Sequence, residues 1–320
     1  MITVTHDVFA LEKAFTISRG SRSEAYVLTV RITRSGQTGW GECVPYKRYG
    51  ETTESVESQI MTLPDTVTLS QLQDLLPPGA ARNAVDCALW DLNAKSCKKS
   101  VWQLAGLSEP KPQITAYTLS LETPENMRRQ ASKHAHRPIL KIKLGTPDDM
   151  ARLEAVRVGA PLSQIIVDAN EGWTADIYAE LAPHLVRLGV QMVEQPLLAE
   201  QDEMLAEMNR IVPVCADESC HDRDSLMSLE GKYDYVNIKL DKAGGLTEAL
   251  ALRKTAEQLG FKIMVGCMVG SSLAIAPAVL VAQDVDMVDL DAPILLAEDR
   301  DEPLKFDEKY VYPAATKLWG

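Results

Sequence analysis

Five charged residues recur along the chain at a nearly constant interval. Lys141, Asp168, Glu194, Asp217 and Lys239 are spaced 27, 26, 23 and 22 residues apart. Each lies in or at the end of a short apolar run: ILKIKL, QIIVDAN, QMVEQP, VPVCADES and YVNIKLD. Such runs read as strands, and the interval is that of one strand plus a return helix. Polar residues that end successive parallel strands collect around one rim. A lone Asp at a strand end most often caps the following helix. Three acids on three consecutive strands are different, because converging carboxylates do not all stay ionised in a cleft without a cation. Asp168, Glu194 and Asp217 are therefore candidate ligands of a hard divalent ion. One Mg²⁺ per site suits an all-oxygen set with positions open to water or substrate.

The lysines extend the chemistry. Lys141 and Lys143 are two apart in ILKIKL, so on a strand both point the same way, about 7 Å apart. Lys143 and Lys239 fall on the second and sixth of eight strands and face each other across the metal. A desolvated lysine near other cations has a lowered pKa and serves as a base near neutrality. Two bases on opposite faces of one carbon invert it: one removes the proton and the other returns it. A proton α to a carboxylate is weakly acidic because the enolate carries two negative charges, and a divalent ion stabilises them. Lys141, beside the same carboxylate, adds to that.

The elements that position these residues follow from the pattern. From Gln113 onward, eight β-rich runs alternate with amphipathic stretches such as ARLEAVRVGA, IYAELAPHLVRLGV and LTEALALRKTAEQLGF. Strand–helix alternation implies parallel strands, and eight units imply a (β/α)8 TIM-like barrel over 113–320, with a C-terminal tail returning to the cap. A doubly wound open sheet is the alternative, but nothing after the first strand resembles a glycine-rich dinucleotide loop. Residues 1–112 read as an N-terminal α+β capping domain. Its first part alternates like an antiparallel sheet turning at Ser35-Gly36, and helices broken at Pro77-Pro78-Gly79 follow. In the second of these helices Ala84, Cys87, Ala88 and Asp91 share a face, so it packs closely against a neighbour.

Bulk properties narrow the function classes. The net charge of −12 argues against nucleic acid or an anionic membrane as partner. No basic segment followed by an apolar core opens the chain, and no apolar run reaches the ~18 residues of a spanning helix. The six cysteines are scattered without C-x-x-C spacing, which reads as free thiols in a cytoplasmic protein. Net charge does not give the oligomeric state.

Taken together, KIK, VDAN, VEQP, ADES and NIKLDKAGG resemble the enolase superfamily in its muconate-lactonizing-enzyme-like subgroup, as do GWGEC and AARNAVDCALWDL in the first domain. The resemblance covers essentially the whole chain. DLDAP, with Asp289 and Asp291, resembles the D-x-D of dipeptide epimerases, where two acids after strand eight hold the substrate's ammonium. As a strand end, the two would share parity. The ISRGSR and YKRYGE stretches resemble mobile loops of L-Ala-D/L-Glu epimerases, where an arginine meets the glutamate side chain; Arg22 is the choice and Arg19 the alternative. Thr118, Cys267 and Val269 match positions that approach the dipeptide. The resemblance implies a Mg²⁺-dependent epimerase that acts on a small-molecule dipeptide in murein peptide recycling. Rival readings are N-acylamino acid racemisation, o-succinylbenzoate synthesis or cycloisomerisation on the same site, or a non-catalytic binding barrel.

Overall fold

A computed structural model describes all 320 residues. The chain opens with three antiparallel strands, β1 (Ile2–Ile17), β2 (Gly20–Arg34) and β3 (Gln37–Cys43). Helices α1 (Thr53–Met61), α2 (Leu69–Leu75) and α3 (Ala80–Cys97) follow. Thr52 and Thr68 start α1 and α2, each with a reciprocal side-chain cap that satisfies end N–H groups.

The close-packed face expected on α3 meets β3. The two glycines of GWGEC make that approach possible. A Cβ on Gly39 would lie 2.1 Å from the Ala88 carbonyl oxygen, and one on Gly41 2.1 Å from that of Ala84. Backbone at that distance does not yield by a rotamer change. Gly41→Ala is expected to destabilise the protein by about 3 kcal/mol or more, read as a lower urea midpoint. An unchanged midpoint removes this account of the motif.

A short helix α4 (Val101–Leu104) and strand β4 (Gln113–Ile114) lead into eight parallel strands: β5 (Tyr117–Leu119), β6 (Ile139–Lys143), β7 (Gln164–Asp168), β8 (Val190–Glu194), β9 (Val214–Ala216), β10 (Tyr235–Ile238), β11 (Lys262–Val265) and β12 (Met287–Val288). They pair in sequence order, and the Ala116 N–H donates to the Val288 carbonyl at 2.9 Å to close the ring. The TIM-like barrel read from the spacing is the fold.

The outer layer is less regular than eight full helices. Long helices follow five strands: α5 (Pro124–Lys133), α6 (Asp149–Gly159), α7 (Ala175–Arg187), α10 (Leu246–Gln258) and α11 (Ser272–Val281). After β8 come only a 3₁₀ turn, Ala199–Gln201, and the four-residue α8 (Met204–Glu207), and after β9 a 3₁₀ segment, Arg223–Leu229. Between β10 and α10 lies a further short helix, α9 (Leu240–Ala243). A final strand β13 (Tyr310–Val311) pairs with β4, and the tail then runs to α3. There Trp319 donates to the Cys87 carbonyl and the Gly320 N–H to Asp91. No helix is long and apolar enough to cross a membrane, and all six cysteines are free.

Candidate active site

Register sets the depth of the charged residues. Lys143 lies beside Asp168, and Asp168 beside Glu194, on three adjacent strands. Lys141 is level with Ile166, one layer deeper. The rim is thus formed by Lys143, with Lys141 beneath it, whereas the 27-residue interval had been counted from Lys141. Both lysines, together with Lys239, Asp217, Asp289 and Asp291, line one cavity between the C-terminal strand ends and the cap. Strands β6 and β10 are four places apart in the ring of eight, so Lys143 and Lys239 enter from opposite sides.

Each acid of the expected set has an ammonium partner. Asp168 Oδ2 lies 2.6 Å from Lys143 Nζ and 3.1 Å from Lys141 Nζ. Lys141 Nζ also lies 2.6 Å from Glu194 Oε2 and 2.7 Å from Asp289 Oδ2. Asp217 binds Lys239 at 2.6 Å and Lys242 at 2.7 Å. All of these residues are buried. Lys242 also donates to the Asp217 and Asn237 carbonyls. Sequence reasoning missed it, because the second lysine in NIKLDKAGG reads as a solvated helix residue until the turn after β10 folds it inward.

For Lys239 this pairing overturns the expectation of a lowered pKa. Burial does oppose the charge on Lys239, but Asp217 and then Glu194 outweigh it and hold the amine above the ordinary lysine range. Lys141 is raised in the same way by Asp289, Glu194 and Asp168. An opposite charge in contact outweighs a like charge one layer away.

The site still carries more acid than its lysines neutralise. Burial, then Asp168, pushes Glu194 up to about 7. Burial, then Asp217, does the same for Glu218, and burial, then Asp289, for Asp291. Glu194 Oε2 is buried and, despite its proximity to Lys141, accepts no aligned hydrogen bond. As arranged, lysines stand between the acids, and no three acidic side chains enclose a metal by themselves. The donor chemistry fits a hard divalent ion: three buried carboxylates, an unfilled acceptor oxygen and excess negative charge.

The two acids after strand eight are held by a turn and not by strand parity. Strand β12 ends at Val288, and Asp291 (φ −93°, ψ 1°) begins a 3₁₀ turn over Ala292–Leu295. Both still face the cavity. Asp289 Oδ1 is buried without a partner, and Asp291 accepts the Thr118 N–H at 2.6 Å. Thr118 thus serves through its backbone. Cys267 donates to the Asp289 carbonyl, and Val269 packs with Leu11, Ala25 and Leu296; both line the cavity.

The two arginines of the cap differ in their partners. Arg19 is committed: it binds Glu171, Glu218, the Asn170 carbonyl and the Tyr46 hydroxyl. Arg48 joins the same Glu171 carboxylate. Arg22 lines the cavity, and its side chain forms no ion pair or hydrogen bond within the chain; burial lowers its pKa.

Comparison with known proteins agrees with this architecture. Residues 1–106 match the mandelate racemase/muconate lactonizing enzyme N-terminal domain, and residues 125–315 the enolase C-terminal domain-like family. The chain is 46% identical over 311 residues to the L-Ala-D/L-Glu epimerase of Escherichia coli K12, covering 95% of this chain and 97% of that one. It is 44% identical over 288 residues to an N-acetyl-D-glutamate racemase of a Pseudoalteromonas species, covering 88% and 91%. An Agrobacterium tumefaciens enolase family member with homology to dipeptide epimerases, solved with sodium and L-Ala-L-Glu, superposes with a TM-score of 0.98. It is 51% identical and covers 100% of this chain and 99% of that one. Motifs, barrel and matched domains converge: the chain belongs to the enolase superfamily, with the mandelate racemase/muconate lactonizing enzyme type of N-terminal domain.

Proposed function

We propose that this chain is an isomerase that epimerises dipeptides of the L-Ala-D/L-Glu type at the α carbon of the C-terminal residue. One observation carries the reading. Lysines on opposite sides of the barrel, a free arginine and a buried acid pair all open into one cavity. A dipeptide with an acidic side chain offers a matching group to each.

Asp289 and Asp291 take the substrate ammonium, and Arg22 takes its side-chain carboxylate. Asp168, Glu194 and Asp217 would hold Mg²⁺. Bound there, Mg²⁺ would supply positive charge to the substrate carboxylate as negative charge builds on it. Lys141 supplies further charge from below. Lys143 and Lys239 act on opposite faces of the α carbon. The one in the amine form removes the proton, and the one in the ammonium form returns a proton from the other side. Asp217 favours the ammonium form of Lys239, which suits it as donor. The same reading puts the enzyme in the cytoplasm, in murein peptide recycling, and its free thiols suit a reducing compartment.

A screen in D₂O tests the substrate class. Cα deuterium uptake is expected to be fastest with L-Ala-L-Glu among L,L-dipeptides, and absence of uptake from every dipeptide overturns the proposal. N-acetylglutamate belongs in the screen because one relative racemises N-acetyl-D-glutamate. Asp291→Asn separates the two substrates. It keeps an oxygen for the Thr118 N–H but loses the charge that an ammonium requires. The expected loss in kcat/KM is about hundredfold for the dipeptide and under about threefold for N-acetylglutamate. Equal losses would argue against amine recognition by this pair.

A further inference from the structure

We propose that Asp241 and Asn83 are positioning residues through which the capping domain sets the placement of Lys239. The proposal rests on the two-base reading above. Lys239 sits at the start of the turn that becomes α9, and its carbonyl accepts the Lys242 and Ala243 N–H groups. Lys242 pins this turn on its inner side, through Asp217 and Asn237. Its outer side is held by the cap.

Asp241 Oδ1 accepts two bonds from the cap: the Val44 N–H at 3.0 Å and Asn83 Nδ2 at 2.8 Å. Both bonds are buried, and their donors are neutral. Asn83 lies on α3, whose next-door Arg82 donates to the Ala243 carbonyl at 2.8 Å. One turn on, Asp86 accepts the Thr247 N–H at 3.0 Å and its hydroxyl at 2.6 Å. The two glycines of the motif let α3 come this close. A Cβ on Gly244 would lie 2.4 Å from Arg82 Nε, and one on Gly245 2.5 Å from Asp86 Cβ. Both also have positive φ, 83° and 112°.

The Val44 bond is the informative one. Val44 continues into Tyr46 and Tyr49, which line the cavity, and Tyr46 holds Arg19. A single carboxylate therefore joins the wall of the binding cavity to the backbone two residues from one base. Asp241 does not reach Lys143, whose strand lies four places around the ring; the cap meets that lysine separately, with the Phe15 ring centroid 5.7 Å from its Nζ. Loosening Asp241 should misplace one base and spare the other, and small displacements of a reacting group are costly.

That asymmetry gives a test which a purely structural role would not move. Deuterium exchange at Cα is measured separately from the L,L and L,D dipeptides, with Lys143→Ala and Lys239→Ala assigning each isomer to its base. Asp241→Ala is expected to slow exchange at the Lys239 face by about tenfold to hundredfold, with the Lys143 face changed less than about threefold. Asp241→Asn, which keeps an acceptor oxygen, should restore most of the ratio. Asn83→Ala keeps the Val44 bond and should shift the ratio the same way by less; it is the variant read if Asp241→Ala does not fold. Parallel losses at both faces, or no loss at either, would overturn the proposal. Absence of exchange in the unaltered enzyme would instead count against the two-base reading.

Discussion

In D₂O, Lys239→Ala is expected to lose exchange from one stereoisomer of L-Ala-Glu and keep it from the other, and Lys143→Ala to do the reverse. Epimerisation itself should fall by about 10³-fold in each, because inversion needs both proton transfers while exchange needs one. The prediction has force because neither substitution strands a buried charge. Without Lys239, Asp217 keeps Lys242 at 2.7 Å. Without Lys143, Asp168 keeps Lys141 at 3.1 Å. Both variants should therefore fold, and circular dichroism beside the kinetics would confirm that a lost rate is lost chemistry. Near wild-type epimerisation in either variant would sink the two-base mechanism. Loss of exchange from both isomers in both variants would point to one lysine acting on both faces.

Chelation is expected to have an equally large effect on turnover and a small one on folding. Exchange should fall to background with EDTA and return with added Mg²⁺, if Asp168, Glu194 and Asp217 hold the ion that stabilises the substrate's developing charge. The metal-depleted protein should nevertheless remain folded. Its acids already contact Lys141, Lys143, Lys239 and Lys242, so removing the ion does not leave three bare carboxylates in the core. The loss of stability is limited to that of a bound ligand, about 2.7 kcal/mol at a hundredfold excess over Kd. Asp217→Ala should behave in the opposite way. It leaves two buried ammonium groups without their carboxylate, which costs about 3–5 kcal/mol, so a depressed urea midpoint should accompany the lost activity. Full exchange in the chelated enzyme would remove the metal from the reaction. Unfolding on chelation would show that the lysine contacts do not suffice to keep the metal-free acids in the core.

Much of this was written in the sequence. Alternation of strand and helix has a period, and a closed ring of eight parallel strands follows from counting it. Residues that end strands reach one rim whatever the intervening helices do, so Asp168, Glu194, Asp217 and Lys239 were legible without coordinates. The glycines of GWGEC were legible as a motif, though not as the seat of Ala84 and Ala88.

Tertiary structure decided who pairs with whom. The interval in the sequence sets Lys141 level with Asp168, and only the register against β7 shows that Lys143 holds that level and Lys141 lies a layer beneath. Two acids within two residues of each other read as a strand pair, yet the chain turns at Asp291 and holds it by the Thr118 backbone. Which of Arg19 and Arg22 is paired within the chain lay with Glu171 and Glu218, more than 140 residues away. The pKa of Lys239 went the opposite way to the sequence expectation for the same reason. Repulsion between neighbours in the chain can be read from spacing, but the carboxylates that outweigh it arrive from other strands. Local periodicity is encoded residue by residue. Ionisation and partner choice depend on contacts between distant segments, and those exist only once the barrel has closed beneath its cap.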